Sequence, residues 1–439
     1  MRRKRSVTEL GEEKIPTLVG RYFLNTFTAL FFSALYTIVD SVFVSRGIGS
    51  TAMGGVAIVG PFMMIQAAVA QTVGSGAASI ISRYLGKKQY TQAGEVTVNA
   101  MAVFYATAIL VTAVGLLFTD PILRLLGVTD ELMPYAREYF FVIVSGTVFS
   151  TGFSSLIRAE GRMTYALLIW LIPTGVNIVL DGVFIFGLGM GVRGAALATV
   201  LCQCTSCGMW FLFLVKFSEQ KLRGAMIRIS VIREILGIGL PTFLQMSGSS
   251  FMNMVLNRLL GAAGGAVSVT CYAYMTRVSG CATVPFNALT QAISPIVGYN
   301  DGAKNESRIS QTLRFSLVAG TVYSGALLIL AQFLSGFAIE VLTDEVIYIQ
   351  TGAQGLRILS LAAPMLPLCR VTSAYFQAVG NRRYALILNL IVFAVLPLLA
   401  LIFSIIWSDT GVYWSFLPAY GLVAAISGMV LLQDRRLRT

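Results

Sequence analysis

Residues 100–119 and 386–407 contain no charged side chain, and each run is about as long as the roughly 20-residue helix that crosses a bilayer. Runs of that kind fix the solvent before they fix the fold. Hydrocarbon offers no water to the backbone, so each N–H and C=O must pair inside its own segment, as an α-helix allows. Composition agrees: 56% of the chain is apolar and 12% charged, where soluble proteins carry about a quarter charged residues. A soluble protein of 439 residues could not clothe its surface with so few charges. A soluble enzyme, a nucleic-acid-binding domain and a disordered chain are thereby excluded.

Splitting the chain at polar and Gly/Pro clusters predicts twelve helical spans: 15–46, 53–82, 95–118, 133–157, 163–187, 193–216, 235–260, 267–299, 309–336, 347–380, 384–407 and 412–433. The formal charge of +12 is spread over span ends and does not form a basic domain. With both termini inside, about 23 of the 32 Lys and Arg residues fall in cytosolic segments and about four (Arg46, Arg124, Arg137, Arg193) in outer loops. That is the asymmetry of the positive-inside rule, and an odd span count would spoil it. Met1-Arg2-Arg3-Lys4-Arg5 reads as a cytosolic anchor, and Trp407 and Trp414 as interfacial aromatics beside the last outer loop. The six cysteines lie within apolar runs and read as small hydrophobes, Cys202, Cys204 and Cys207 included. With no histidine in the chain, any proton chemistry falls to carboxylates.

The halves repeat. Ala159-x-Gly161-x-x-x-Tyr165-Ala166-Leu167 recurs as Ala378-x-Gly380-x-x-x-Tyr384-Ala385-Leu386, and Gly86-Lys87-Lys88 is answered by Gly302-Ala303-Lys304; the offsets are about 219 and 216 residues. Six spans per half is an even number, so both halves share one orientation. The expected fold is an all-α membrane protein, twelve transmembrane helices in two six-helix bundles related by a pseudo-two-fold axis along the membrane normal. The expected lobes are 1–220 and 221–439, joined by a basic cytosolic linker at about 217–234.

Of the twenty acidic residues, Asp40 in span 1 and Asp181 in span 5 lie well inside a span. A carboxylate in hydrocarbon costs roughly 2.5–3.5 kcal/mol on insertion scales and therefore usually faces a cavity and carries function. Asp40, Asp181 and Thr199 each lie about six residues from an outer span end, roughly 9 Å deep at 1.5 Å per residue. Asn177 shares a helix face with Asp181, and Tyr36 with Asp40, since residues four apart align. Two carboxylates meeting in a low dielectric cannot both ionise cheaply. A proton relieves the repulsion, and so does Na⁺ held by carboxylate, amide and hydroxyl oxygens; the residues leave both open. The second half has no acid within a span but carries Arg258, Arg277, Arg357 and Arg370 there. Arg357 reads as snorkelling, and Arg370 either as a partner for backbone carbonyls or as a cleft group meeting an anionic substrate. Phe62, Met63 and Met64 are candidates for a cleft that holds varied apolar compounds, because thioethers repack easily.

Tyr36-Thr37-Ile38-Val39-Asp40, Asn177-Ile178-Val179-Leu180-Asp181, Gly194-Ala195-Ala196-Leu197-Ala198-Thr199 and Gln291-x-x-x-Pro295-Ile296-Val297-Gly298-Tyr299-Asn300 resemble the motifs of multidrug and toxic compound extrusion (MATE) transporters. The match is to their DNA-damage-inducible F-like branch, and it covers nearly the whole chain. The resemblance implies export of amphipathic, often cationic compounds against inward H⁺ or Na⁺, with Asp40, Asn177, Asp181 and Thr199 at the cation-site positions. It implies no cofactor, small-molecule substrates, a monomer, no nucleic acid, and a bacterial inner-membrane location. One departure is Asn25, where many members carry a proline; bending of span 1 on protonation is not implied here. A flippase for a lipid-linked precursor, using the C-lobe arginines, is the runner-up. An intramembrane aspartyl protease lacks its Gly-x-Gly-Asp motif and leaves the repeat unexplained.

Overall fold

A computed structural model describes residues 7–437 except 127, 129 and 150–152, without the side chains of a few helical residues such as 34–38. Helices account for nearly all of it, and there is no strand among the described residues. A short α1 (Glu9–Glu12) precedes α2 (Ile15–Gly47), α3 (Ser50–Gly86), α4 (Tyr90–Leu117), α5 (Thr119–Leu125), α6 (Met133–Ser145), α7 (Ser154–Ala159), α8 (Met163–Asp181) and α9 (Gly191–Lys216). The second half holds α10 (Ile229–Gly302), α11 (Glu306–Glu340), α12 (Val346–Ser360), α13 (Leu366–Ala378), α14 (Arg382–Trp414) and α15 (Phe416–Gln433).

Two of these are pairs of helices joined end to end. α10 turns at Gly265, with φ 66° and ψ −157°, a conformation open to glycine because it has no Cβ. α14 turns at Trp407 and Ser408, the latter at φ 57°. α6 and α7 are the two arms of one span bent by 47°. With α12 and α13 taken as one span, Val346–Ala378, and the short arm of α14 after Ser408 running on with α15, the described residues make twelve helical traverses, six in each half. Nine helices among the described residues, and a tenth from the bent pair, are long and apolar enough to cross a membrane. The protein is a multi-pass membrane protein.

By contact the chain divides into two units: Leu24–Gly239 with the residues up to Glu9, and Leu10–Phe23 with Leu240–Thr439. The first unit packs around Val44, Val59, Leu123, Phe140, Ile185 and Ala196. Its α3 and the start of α10 approach backbone to backbone: a Cβ added at Gly239 would lie 1.9 Å from the Thr72 carbonyl oxygen, a small-residue contact typical of membrane helices. The second unit packs around Leu256, Tyr272, Met275, Leu396 and Tyr413. It also holds α1, where Arg308 Nη2 donates to the carbonyls of Leu10 and Glu13 at 3.2 and 2.7 Å. That is the cation a helix C-terminus favours.

The repeat is written in the backbone as well. Gly161 and Gly380 take φ 74° and 76°, and Lys88 and Lys304 take 59° and 58°. Gln89 N donates to Tyr84 O at 2.9 Å, as Asn305 N donates to Asn300 O at 2.8 Å. Each half therefore ends its second and fourth spans with the same left-handed turn.

Between α9 and α10 the linker is strapped to the first unit. Glu160 is buried and accepts hydrogen bonds from Ser218 Oγ (2.6 Å), the Glu219 N–H (3.0 Å) and Gln220 Nε2 (2.6 Å). Lys221 N donates to Tyr90 O at 3.1 Å. Arg228 N donates to Asn99 Oδ1 at 2.7 Å, and Asn99 Nδ2 to Met226 O at 2.9 Å.

Candidate functional site

Asp40 and Asp181 meet. Asp40 rides on α2, seven residues before its last residue Gly47, and Asp181 ends α8. Beyond Asp181 the helix widens into a π-helical stretch, Gly182–Gly187, a distortion frequent at functional sites. The two carboxyl groups lie close enough to act on each other electrostatically. Two like charges that near each other in a low dielectric are costly, and a proton or a cation relieves the repulsion.

Asp181 is wholly buried and so is Asn177, one turn earlier on α8. With the Asn177 amide nitrogen facing Asp181, it donates to Oδ2 at 2.9 Å, and its oxygen accepts from Thr199 N on α9 at 3.2 Å. The Thr199 hydroxyl donates to Ala195 O at 3.1 Å. The second Asp181 oxygen, Oδ1, is buried with no hydrogen-bond partner among the described residues. A bare buried carboxyl oxygen is costly unless a proton or cation meets it. Four of the five expected groups are thus brought together by α2, α8 and α9. Tyr36 is in α2, but its side chain lies outside the described residues.

The residues missed one member. Tyr139 on α6 is buried, and it lies near Thr199 with both aspartates close enough to act on it. It lies six residues into α6 from Met133, roughly 9 Å along the axis, the same depth rule that gathered Asp40, Asp181 and Thr199. Applying that rule to a tyrosine in span 4 would have found it.

Phe62 packs edge-on against Phe140 with ring centroids 4.8 Å apart, and Phe62 and Met63 cover the first unit's core. Met64 stands 69% exposed. In the second unit Arg370 is half-buried near Tyr420. Arg357 is exposed, and its Nε donates to the buried Ser335 of α11 at 2.9 Å.

A family model described as MatE matches residues 26–183 and 241–402, one stretch in each half. The chain belongs to the MATE family of membrane transporters. Its site residues Asp40, Asn177 and Asp181 fall in the first stretch, Thr199 just beyond it. The chain is 25% identical over 411 residues to the multidrug export protein MepA of Staphylococcus aureus strain N315, covering 92% of this chain and 91% of that one. It is 23% identical to MepA of Staphylococcus haemolyticus over 91% of this chain and 89% of that one. Among solved structures it resembles the MATE multidrug transporter DinF-BH, at 32% identity and TM-score 0.88 over 99% of both chains. It also resembles the outward-facing conformation of a multidrug resistance MATE family transporter of the MOP superfamily, at 23% identity and TM-score 0.90 over the whole of both chains.

Proposed function

We propose that this transporter exports amphipathic drugs or toxic compounds by alternating access, in exchange for inward H⁺, and that Asp40 and Asp181 are the coupling groups. The meeting of two carboxyl groups inside the spans, one of them buried with an oxygen left bare, carries the reading. A shared proton holds the acids together; when it leaves, two like charges face each other in a medium of low dielectric. The protonated and deprotonated proteins therefore favour different arrangements of α2 against α8 and α9, and that differential binding is what lets a proton gradient drive a conformational cycle. Asn177, Thr199 and Tyr139 supply the hydrogen bonds that keep the pair in register. Na⁺ remains the other ion this set of oxygens would suit. Names of relatives support export of drugs, and the charge asymmetry of the sequence supports cytoplasmic termini in a bacterial inner membrane.

Reconstitution into liposomes under separately imposed pH and Na⁺ gradients tests this. Drug uptake should follow the pH gradient and fall to background in Asp40→Asn. Uptake that follows Na⁺ alone would replace the ion, and unchanged coupled uptake in Asp40→Asn would remove Asp40 from the mechanism.

A further inference from the structure

Within the second unit, helices show two kinds of exposed face. α11 and α14 expose Val322, Ile329, Phe333, Leu398 and Ile405, the faces that lipid solvates. α10 differs: its first arm exposes Met246, Phe251 and Met254 with polar residues among them, and its second arm exposes no large apolar side chain among the described residues. Its first arm exposes Ser249, Asn253 and Asn257, four residues apart and so on one line. Its second arm exposes Arg277 between small residues, Ala273 and Gly280. A Cβ added at Gly280 would meet nothing within 4 Å, so the space beside the guanidinium is open.

Arg277 stands twelve residues beyond the Gly265 turn, roughly 18 Å along the helix at 1.5 Å per residue. It is deep in the span, and it makes no hydrogen bond or ion pair among the described residues. An arginine at that depth is expensive in hydrocarbon and normally faces water or a partner. No acid of this half lies within a span to serve as one: Glu340, Asp344, Glu345 and Asp409 sit at helix ends and turns. Asp409, beside the second turn, is occupied with Ser268 Oγ at 2.6 Å.

We propose that Arg277 is a substrate-binding residue for an anionic group, a carboxylate, sulfonate or phosphate, on an amphipathic organic compound, with the Asn253–Asn257 line offering hydrogen bonds beside it. The inference rests on the transport reading above and deepens it by fixing the charge of the substrate. It departs from the expectation of cationic drugs: a deep guanidinium with no counter-charge repels a cation and leaves its five donors for an anion, which they match in a fork. The acidic pair of the first unit then serves the coupling ion, and the substrate's charge is met on the second.

Two xanthene dyes of opposite charge test it, fluorescein as the anion and rhodamine 6G as the cation, each supplied to proteoliposomes under a pH gradient. The wild type should take up fluorescein in preference, and the fluorescein-to-rhodamine uptake ratio should fall roughly tenfold in Arg277→Gln, the loss expected for a charged hydrogen bond, with recovery in Arg277→Lys. An unchanged ratio in Arg277→Gln, or a wild type that moves only rhodamine 6G, overturns the proposal. Should Arg277→Gln fail to insert, fluorescein anisotropy on the detergent-purified wild type decides: saturable binding upholds the site and its absence sinks it. Bound fluorescein displaced by undecaprenyl phosphate, without any fluorescein uptake, would hand the arginine to a lipid-borne phosphate instead. Uptake that survives Asp40→Asn while the ratio still depends on Arg277 would fail the coupling reading and leave this one standing.

Discussion

Asp181 has one carboxyl oxygen held by Asn177 and the other bare, so its behaviour depends on what it shares with Asp40. Replacing it by asparagine keeps the size and a hydrogen-bonding oxygen but removes the titration. Asp181→Asn should insert and fold, while gradient-driven uptake drops roughly tenfold or more; efflux at the wild-type rate would contradict the assignment. Tyr139→Phe removes only the hydroxyl near Thr199 and the two aspartates. A neutral hydrogen bond is worth about 1 kcal/mol, so apparent affinity for the coupling ion should weaken roughly fivefold with maximal uptake little changed, read from the pH dependence of transport. Glu160, outside the spans, gives a pH test of the linker. Burial pushes its carboxyl up to about 7, although Ser218, Gln220 and the Glu219 N–H pull it down and the Glu219 charge adds to the rise. A carboxyl that binds its proton more tightly when folded stabilises the fold fully below the ordinary value of 4.5, and that contribution disappears as pH climbs through about 7. The melting temperature of the wild type relative to Glu160→Gln should therefore decline from about pH 5 to about pH 8; a flat difference would rule this out. Asp40 and Asp181 were legible in the sequence because a charge inside an apolar run needs a reason. Tyr139 offered only its depth as a signal, which is weak because an aromatic in a span is usually packing.

At the scale of helices, close approach and bending decide the geometry. Gly239 and Gly76 let α10 and α3 touch through their backbones; a Cβ at Gly76 would lie 2.0 Å from the Ile235 carbonyl oxygen. Gly239→Ala should push the helices apart and cost about 1–3 kcal/mol, the range for overpacking, lowering the melting temperature in detergent. Gly175→Ala, where a Cβ meets nothing within 4 Å, should be neutral or slightly stabilising because alanine is the better helix former; equal losses in both would show that packing is not the cause. The unit boundary crosses α2 between Phe23 and Leu24 and α10 between Gly239 and Leu240. One residue further on stand Asn25 and Pro241, positions 216 apart as in the repeat. α10 thus carries at its crossing the proline that α2 lacks, and a proline removes a helix hydrogen bond. The sequence showed the missing proline; that the chain changes unit beside it came only from contacts.

For the whole molecule, the linker and the loop 341–345 should lie on opposite sides of the membrane. A single cysteine at Arg223 in a cysteine-free background should react with an impermeant maleimide in inside-out vesicles, and one at Asp344 in right-side-out vesicles; the reverse pattern, or labelling of both from one side, would refute the orientation. The solvent, the helices, their number and the duplication were all decided by the sequence, since hydrocarbon forces each backbone segment to satisfy itself and so makes every span readable from its own residues. The meeting of Asp40 with Asp181, the place of Tyr139, the packing of Phe62 on Phe140 and the open face around Arg277 were decided by tertiary structure alone. In a helix of uniformly apolar residues, composition does not say which side meets lipid, which meets another helix and which meets water; only the neighbours that pack against it do.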